Sequence, residues 1–327
     1  VPELIELKAE GMYCAAGDFY IDPWRPVARA VLTHGHSDHA RPGAAQYYAT
    51  HSSAGILRER LGADIALQLH AYGEPFHLNR AQVSFHSAGH ILGSAQVRVE
   101  VDGEVWVMTG DFKRAADPSC APFEVVRCDT LITEATFAVP IYHWQPGHVI
   151  AREVYDWWTH SQSQGKTCVL YCYSLGKAQR LLAELSAFTN HPVYVHSAMV
   201  KLIDIYRHAG VQMLPTLPLA ESAPSSLILA PPAAAGGAWM KRLGQVSTGF
   251  ASGWMAVRGN RRRRGFDRGF VLSDHADWPA LIQTVCDSGA KRVLATHGNS
   301  DLLVRYLNER GIYAAALKTE LGGESLL

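Results

Sequence analysis

The residues Thr33-His34-Gly35-His36-Ser37-Asp38-His39-Ala40 follow directly on the apolar run Ala30-Val31-Leu32. Three histidines and one aspartate thus stand within six residues, at the end of what reads as a buried strand. A lone histidine in such a place is usually a polar edge residue. Three with a carboxylate make a donor set, because neutral imidazole and carboxylate suit zinc or manganese. One loop supplies only half of such a site. The chain must therefore fold so that other segments bring further donors to the same point, and few topologies do that.

Four further residues stand in the same kind of position. Asp22 closes "FYIDP", His90 lies in "SAGHILGSA", Asp111 follows the strand in "MTGDF", and His297 follows "VLAT". Singly, the two aspartates read as turn formers and the two histidines as polar loop residues. Jointly they repeat the placement of the opening loop, since all terminate apolar runs, and loops on a rigid scaffold carry function.

The wider pattern is α/β. In the first third, short β segments alternate polar and apolar residues: Gln96 to Val101, a hairpin turn at Asp102-Gly103, then Glu104 to Met108. After Thr136 the style changes. A helical stretch holds Trp157-Trp158, Lys166 to Tyr171 reads as a buried strand, and Ala178 to Phe188 as a helix. Val193 to Val195, a helix from Met199 to His208, and Leu227 to Leu229 continue the strand–helix–strand logic of a parallel sheet. Past Gly269 the early style returns, with a strand at Phe270 to Leu272, a helix at Pro279 to Cys286, a strand at Arg292 to Ala295 and a helix at Leu302 to Asn308. The expectation is an α/β insertion over residues 137–268 inside one discontinuous host, 1–136 and 269–327.

With 327 residues, 48% of them hydrophobic, the chain can bury a sizeable core. Lys+Arg and Asp+Glu both number 30, so attraction to nucleic acid or an anionic membrane must come from a local patch. No run is long and apolar enough to span a bilayer, and Val1-Pro2-Glu3-Leu4 lacks a basic-then-apolar secretory pattern. The six cysteines form no C-x-x-C pair and read as reduced structural thiols of a cytoplasmic protein.

On these residues the chain resembles the metallo-β-lactamase fold, and more narrowly its β-CASP nuclease branch. His34, His36, Asp38 and His39 meet the H-x-H-x-D-H signature, while "AGHILGSA", "TGDF" and "FYIDP" are similar to the fold's other metal motifs. Glu134 in "LITEATF", His275 in "LSDHADW" and His297 in "ATHGN" match the additions of the β-CASP branch. The phrases "SDHADW" and "ASGWMAVRGNRRRRGF" look most like bacterial ligase-associated DNA exonucleases. The resemblance implies an αββα sandwich with an inserted β-CASP α/β domain, and two divalent metals. His34, His36 and His90 would hold the first; Asp38, His39 and His297 the second. Asp111 would bridge them, and Asp22 would orient a ligand imidazole from behind. Zinc suits the imidazole-rich set best, and manganese accepts the same ligands. A two-metal site with a spacing of roughly 3.5–4 Å clamps a phosphodiester for in-line attack. His275 would be the general acid, worth typically about 10²–10⁴-fold, with Glu134 supporting its imidazolium form. Asp38 and Asp111 would share the catalytic set with these two. A capping role beside Asp274 and Asp277 is the plainer alternative for His275.

For a substrate, the strongest local charge is Arg258 with Arg261, Arg262, Arg263 and Arg264, whose guanidinium forks match phosphate geometry. The plainer reading is a solvated basic loop. Trp254, Phe250 and Phe266 could stack bases, although at least two read as core. Ser174 to Lys177 opens a helix and could grip a phosphate through backbone N–H groups. The favoured reading is a metal-dependent nuclease, a single-strand DNA 5′ exonuclease of DNA repair. DNA over RNA rests on the resemblance, as does functional association with a DNA ligase and a helicase. The alternatives are an RNA-processing β-CASP nuclease, a small-molecule metallohydrolase of the same fold, and a non-catalytic nucleic-acid-binding partner.

Overall fold

The computed structural model describes residues 3–219, 225–257 and 265–320. Their contacts divide into two compact units. Residues 3–116, 120–143 and 275–320 form one, and 117–119 with the described part of 144–274 the other.

The first unit is built on two sheets. One takes six strands in sequence order, from Glu6–Leu7 through Met12–Cys14, Phe19–Ile21, Arg29–Val31 and Gln46–Thr50 to Leu67–His70. The other runs in the order Tyr313–Ala316, Arg292–Thr296, Thr130–Glu134, Glu104–Met108, Ala95–Val101, Ala81–Ser87, Phe76–Leu78. Side chains alternate across a strand, so every strand has two addresses. Val31, Tyr48, Val97, Trp106, Met108, Ile132 and Leu294 meet in one core between the sheets. Their chain neighbours face outward. Ala30, Leu32, Tyr47 and Ala49 pack with Leu57 of the helix Ala54–Leu61. Val107, Leu131, Val293 and Ala295 pack with Leu281 and Val285 of Trp278–Ser288 and with Leu303 and Leu307 of Asp301–Glu309. The layers therefore read helix, sheet, sheet, helix. Each large side chain buried in them contributes about 1.5–3 kcal/mol.

The hairpin at Asp102-Gly103 forms as its residues demand. Both have positive φ (51° and 85°), and Glu104 pairs with Val101. Asp277 caps the helix Trp278–Ser288, its Oδ1 accepting from Ala280 N at 3.0 Å.

The second unit is an all-parallel six-stranded sheet in the order Thr216–Pro218, Val193–Val195, Leu227–Ala230, Thr167–Tyr171, Val246–Ala251, Arg268–Phe270. Cys168 and Leu170 face the helices Gly147–Ser163, Lys177–Leu185 and Ser197–His208. Val169 and Tyr171 face the other side, with Leu243, Phe250 and Met255.

Two details differ from the sequence expectation. The helix Ala54–Leu61 falls in a stretch read as β; only Ala54, Ile56 and Leu57 of it are buried, so its apolar stripe is too short to announce a period. The strand expected at Phe270 to Leu272 lies at Arg268–Phe270, because Gly249, Phe250 and Ala251 pair with those residues. All six cysteines are free thiols. No helix among the described residues is long and apolar enough to cross a membrane.

Candidate metal centre

Strand direction gathers the donors. Phe19–Ile21 and Arg29–Val31 are parallel neighbours, so Asp22 and the loop from Leu32 leave the first sheet at the same edge. In the second sheet, Glu104–Met108, Thr130–Glu134 and Arg292–Thr296 are parallel. Ala81–Ser87 runs in the same direction, since two antiparallel pairings separate it from Glu104–Met108. His90, Asp111, Glu134 and His297 thus follow, or end, strands that finish on one edge. Two of the turns need glycine. Gly110 has φ 56° and a Cβ there would lie 2.7 Å from Thr33 Cβ, while Gly298 has φ 64° and its Cβ would lie 2.6 Å from Ala135 O.

The side chains converge on Asp111. His34, His36, His90 and Asp111 form one group with ligand atoms within 4.8 Å of one another; His39, Asp111 and His297 form a second; Asp111, Glu134 and His275 a third. Asp111 Oδ2 stands 3.6 Å from His34 Nε2, 3.8 Å from His90 Nε2 and 3.5 Å from His39 Nε2, and Asp111 Oδ1 stands 3.4 Å from His297 Nδ1. His36 Nδ1 is 3.0 Å from both His34 Nε2 and His90 Nε2. Asp38 is outside these three groups, with Oδ2 3.7 Å from His39 Nε2 and a half-buried side chain.

These distances fit a cation. Tetrahedral zinc with ligands at about 2.0–2.2 Å puts two of them roughly 3.3–3.6 Å apart. Four buried atoms of the cluster, His39 Nε2, Asp111 Oδ1 and both ring nitrogens of His297, have no hydrogen-bond partner among the described residues. Buried polar atoms are rarely left so unless something else binds them. The donors are also already aimed. Asp22, fully buried, accepts from Thr33 N at 2.8 Å, from Thr33 Oγ1 at 2.6 Å and from His39 Nδ1 at 2.7 Å.

The charges are set by the same burial. His34 is held well below the usual histidine range by burial and by its neighbour His39. Burial also opposes charge on His39, but the Asp111 and Asp22 carboxylates outweigh it and raise its pKa well above the ordinary value. Burial opposes ionisation of Asp111 too, yet His39 and His275 hold its carboxyl well below the usual range. Imidazole ligates in its neutral form, so metal uptake must displace the His39 proton and weakens as pH falls.

His275 is tied to Glu134, its Nδ1 donating to Oε2 at 2.8 Å; it stands 4.0 Å from Asp111 Oδ2. Glu134 Oε1 accepts from Phe112 N at 2.8 Å. The capping alternative for His275 therefore falls away, since Asp277 holds the cap.

The expected phosphate grip at Ser174 and Lys177 is not how that helix start is built. Lys177 is 1% exposed, with Nζ 3.4 Å from Asp274 Oδ2 and 4.7 Å over the Tyr173 ring. Gln179 Oε1 occupies Gly176 N at 2.8 Å, and Ser174 O accepts from Gln179 Nε2 at 2.9 Å. Phe250 is buried and stacks on Phe266, their centroids 5.3 Å apart. Trp254 packs half-buried against the same core. Arg258, Arg261, Arg262, Arg263 and Arg264 lie outside the described residues. The sequence reading missed two residues behind the loop: Thr33, which touches Asp22 and His34, and Arg60, whose Nε donates to Gly35 O at 2.5 Å. Only adjacency to His34 marked Thr33 in the sequence, and nothing marked Arg60.

No family model matches the chain. A probable DNA ligase of Opitutus terrae is 30% identical over 314 residues, 94% of this chain and 30% of that protein. An RNase J-like protein of Methanocaldococcus jannaschii is 23% identical over 213 residues, 56% of this chain and 50% of that protein. The chain thus spans half or less of the length of these curated relatives. A solved structure, a protein of unknown function from Enterococcus faecalis V583, matches with a TM-score of 0.61 and 11% identity over 90% of this chain and 80% of that one, a likeness of fold alone.

Proposed function

The chain has the metallo-β-lactamase αββα fold with an inserted β-CASP α/β domain, and on that premise we propose that it is a two-metal nuclease acting on single-stranded DNA as a 5′ exonuclease of DNA repair. The observation that carries the nuclease reading is the single Asp111 carboxylate shared by three donor groups, one of which holds the His275–Glu134 pair. His34, His36 and His90 would hold one cation, His39, Asp38 and His297 the other, with Asp111 between them. Bound there, divalent zinc or manganese supplies Lewis-acid polarisation of a phosphoryl oxygen and a water of lowered pKa. The protein's own residues do the rest. Asp111 places a negative charge where two dications would otherwise repel each other. Asp22 fixes His39 from behind. His275 hands the proton on its Nε2 to the leaving oxygen, and the buried Glu134 carboxylate holds the ring in place and stabilises its cationic form.

DNA is favoured because the relative matched over 94% of the chain is named a probable DNA ligase, which also suits a functional association with a ligase. RNA is the second reading, supported by the name of the RNase J-like relative. Incubating the protein with 5′-labelled and 3′-labelled single-stranded DNA and RNA, with and without added zinc or manganese, tests both. Shortening of DNA from its 5′ end that depends on metal is the expected result. Cleavage of RNA alone would replace the DNA reading, and no metal-dependent cleavage of either would remove the nuclease reading. Arg261 to Arg264 are assigned to the nucleic-acid backbone: neutralising them should lower the salt slope of single-strand binding by about 0.7 per lost phosphate contact. An unchanged slope would make the run a solvated loop.

A further inference from the structure

We propose that Thr33 is a positioning residue which, with Asp22, sets the ring tautomers of two histidines in different donor groups. The inference rests on the metal reading of the site given above. The Asp22 carboxylate takes Thr33 N on Oδ1, and both Thr33 Oγ1 (2.6 Å) and His39 Nδ1 (2.7 Å) on Oδ2. A hydroxyl carries one proton. The contact to Asp22 is as short as a charge-assisted O–H···O⁻ bond and takes that proton. Toward His34 Nδ1, at 3.0 Å, Thr33 Oγ1 therefore accepts. His34 carries its ring proton on Nδ1, and so does His39, which donates to the same carboxylate directly.

Once the second proton of His39 is displaced, both Nε2 atoms are lone-pair donors, and both face Asp111 Oδ2, at 3.6 Å from His34 and 3.5 Å from His39. His34 belongs to the group with His36 and His90; His39 belongs to the group with His297. One carboxylate thus prepares a ligand in each group, His39 by contact and His34 through a hydroxyl. Thr33 is buried, and Gly110 packs so closely on it that a Cβ there would lie 2.8 Å from Thr33 Oγ1.

The test reads both the tautomer and the metal. In metal-free protein at mildly alkaline pH, ring ¹⁵N–¹H correlation spectra should show the His34 proton on Nδ1. In Thr33→Val, where the accepting oxygen is gone, the His34 proton should move to Nε2. Titrated with zinc alone and, separately, with manganese alone, Thr33→Val should lose about 10–100-fold in affinity for one equivalent and keep the other within about threefold. Thr33→Ser should restore both. Asp22→Asn should weaken both equivalents, because an amide N–H facing Thr33 Oγ1 and His39 Nδ1 turns both bonds around. A His34 proton on Nε2 in the unaltered protein overturns the relay without any variant, and so does a Thr33→Val protein that binds both equivalents as before. If the unaltered protein takes up no metal while His34 carries its proton on Nδ1, the relay stands and the metal reading fails.

Discussion

Two buried polar clusters can be set side by side. In the second unit Lys177 and Arg180 lie against three carboxylates. Arg180 Nε is 3.3 Å from Asp117 Oδ2 and 3.8 Å from Glu184 Oε1, and its Nη1 is 3.5 Å from Asp274 Oδ1 and donates to Ser273 O at 2.6 Å. Every cation there faces an anion of the same chain. In the first unit nitrogen faces nitrogen: His36 Nδ1 meets His34 Nε2 and His90 Nε2, with the Asp111 carboxylate among them. Burying charge is costly unless it is paired. The first cluster satisfies that condition internally. The second leaves His39 Nε2, Asp111 Oδ1 and both ring nitrogens of His297 without a hydrogen-bond partner among the described residues, atoms that a cation brought from outside would take up, and that difference separates a structural cluster from a site.

The contrast is open to attack at several points. Asp111→Ala removes the one shared anion, so activity should fall below detection and metal content below two equivalents. Elemental analysis finding two metals in the inactive variant would break the bridging assignment. His275→Ala takes away a group outside the metal set. It should keep its metals, while cleavage slows by about 10²–10⁴-fold. The deficit should shrink on a nitrophenyl phosphodiester, whose leaving group needs no proton. Glu134→Gln should show a milder version of the same pattern. Equal slowing on both substrates would deny His275 the acid role.

Arg180→Met tests the other side of the comparison. It takes the guanidinium from Asp117 and leaves Asp274 to Lys177, and should cost about 3–5 kcal/mol in urea unfolding with metal stoichiometry unchanged. Unaltered stability would mean that the carboxylates do not depend on Arg180. The smallest effect concerns neutral burial in the same unit. Burial pushes the Cys168 thiol up to about 11 and the Cys172 thiol up to about 12, from an ordinary 9.0. Above pH 9 the unfolded chain releases these protons while the folded chain keeps them. Unfolded protein then binds fewer protons, and stability falls as pH rises from 9 toward 12, by on the order of 1 kcal/mol per thiol at pH 10. Cys172→Val should flatten part of that fall in urea midpoints measured between pH 8 and 10.

Much of this was open to a reading of the residues. The alternation of Gln96 to Val101, the Asp102-Gly103 turn and the strands Thr167–Tyr171, Val193–Val195 and Leu227–Ala230 depend on neighbours in sequence, and each lies where the pattern put it. So do the donor loops, because a histidine after an apolar run sits at a strand end whatever the rest of the chain does. The stretch Ser174 to Lys177 misled for a physical reason. A lysine at a helix start looks the same whether its ammonium meets a phosphate or Asp274, and the distinction is a matter of desolvation.

The sequence by itself determined which donors the chain owns and that they end strands, since residue type and period are local properties. Only the tertiary structure decided which donors share Asp111, that His275 meets Glu134 across 141 positions, and that Thr33 stands between Asp22 and His34. Coulomb attraction and hydrogen bonding act over about 3–4 Å of space, and burial strengthens them. Such distances are set by sheet order and strand direction, which no segment of the chain carries alone.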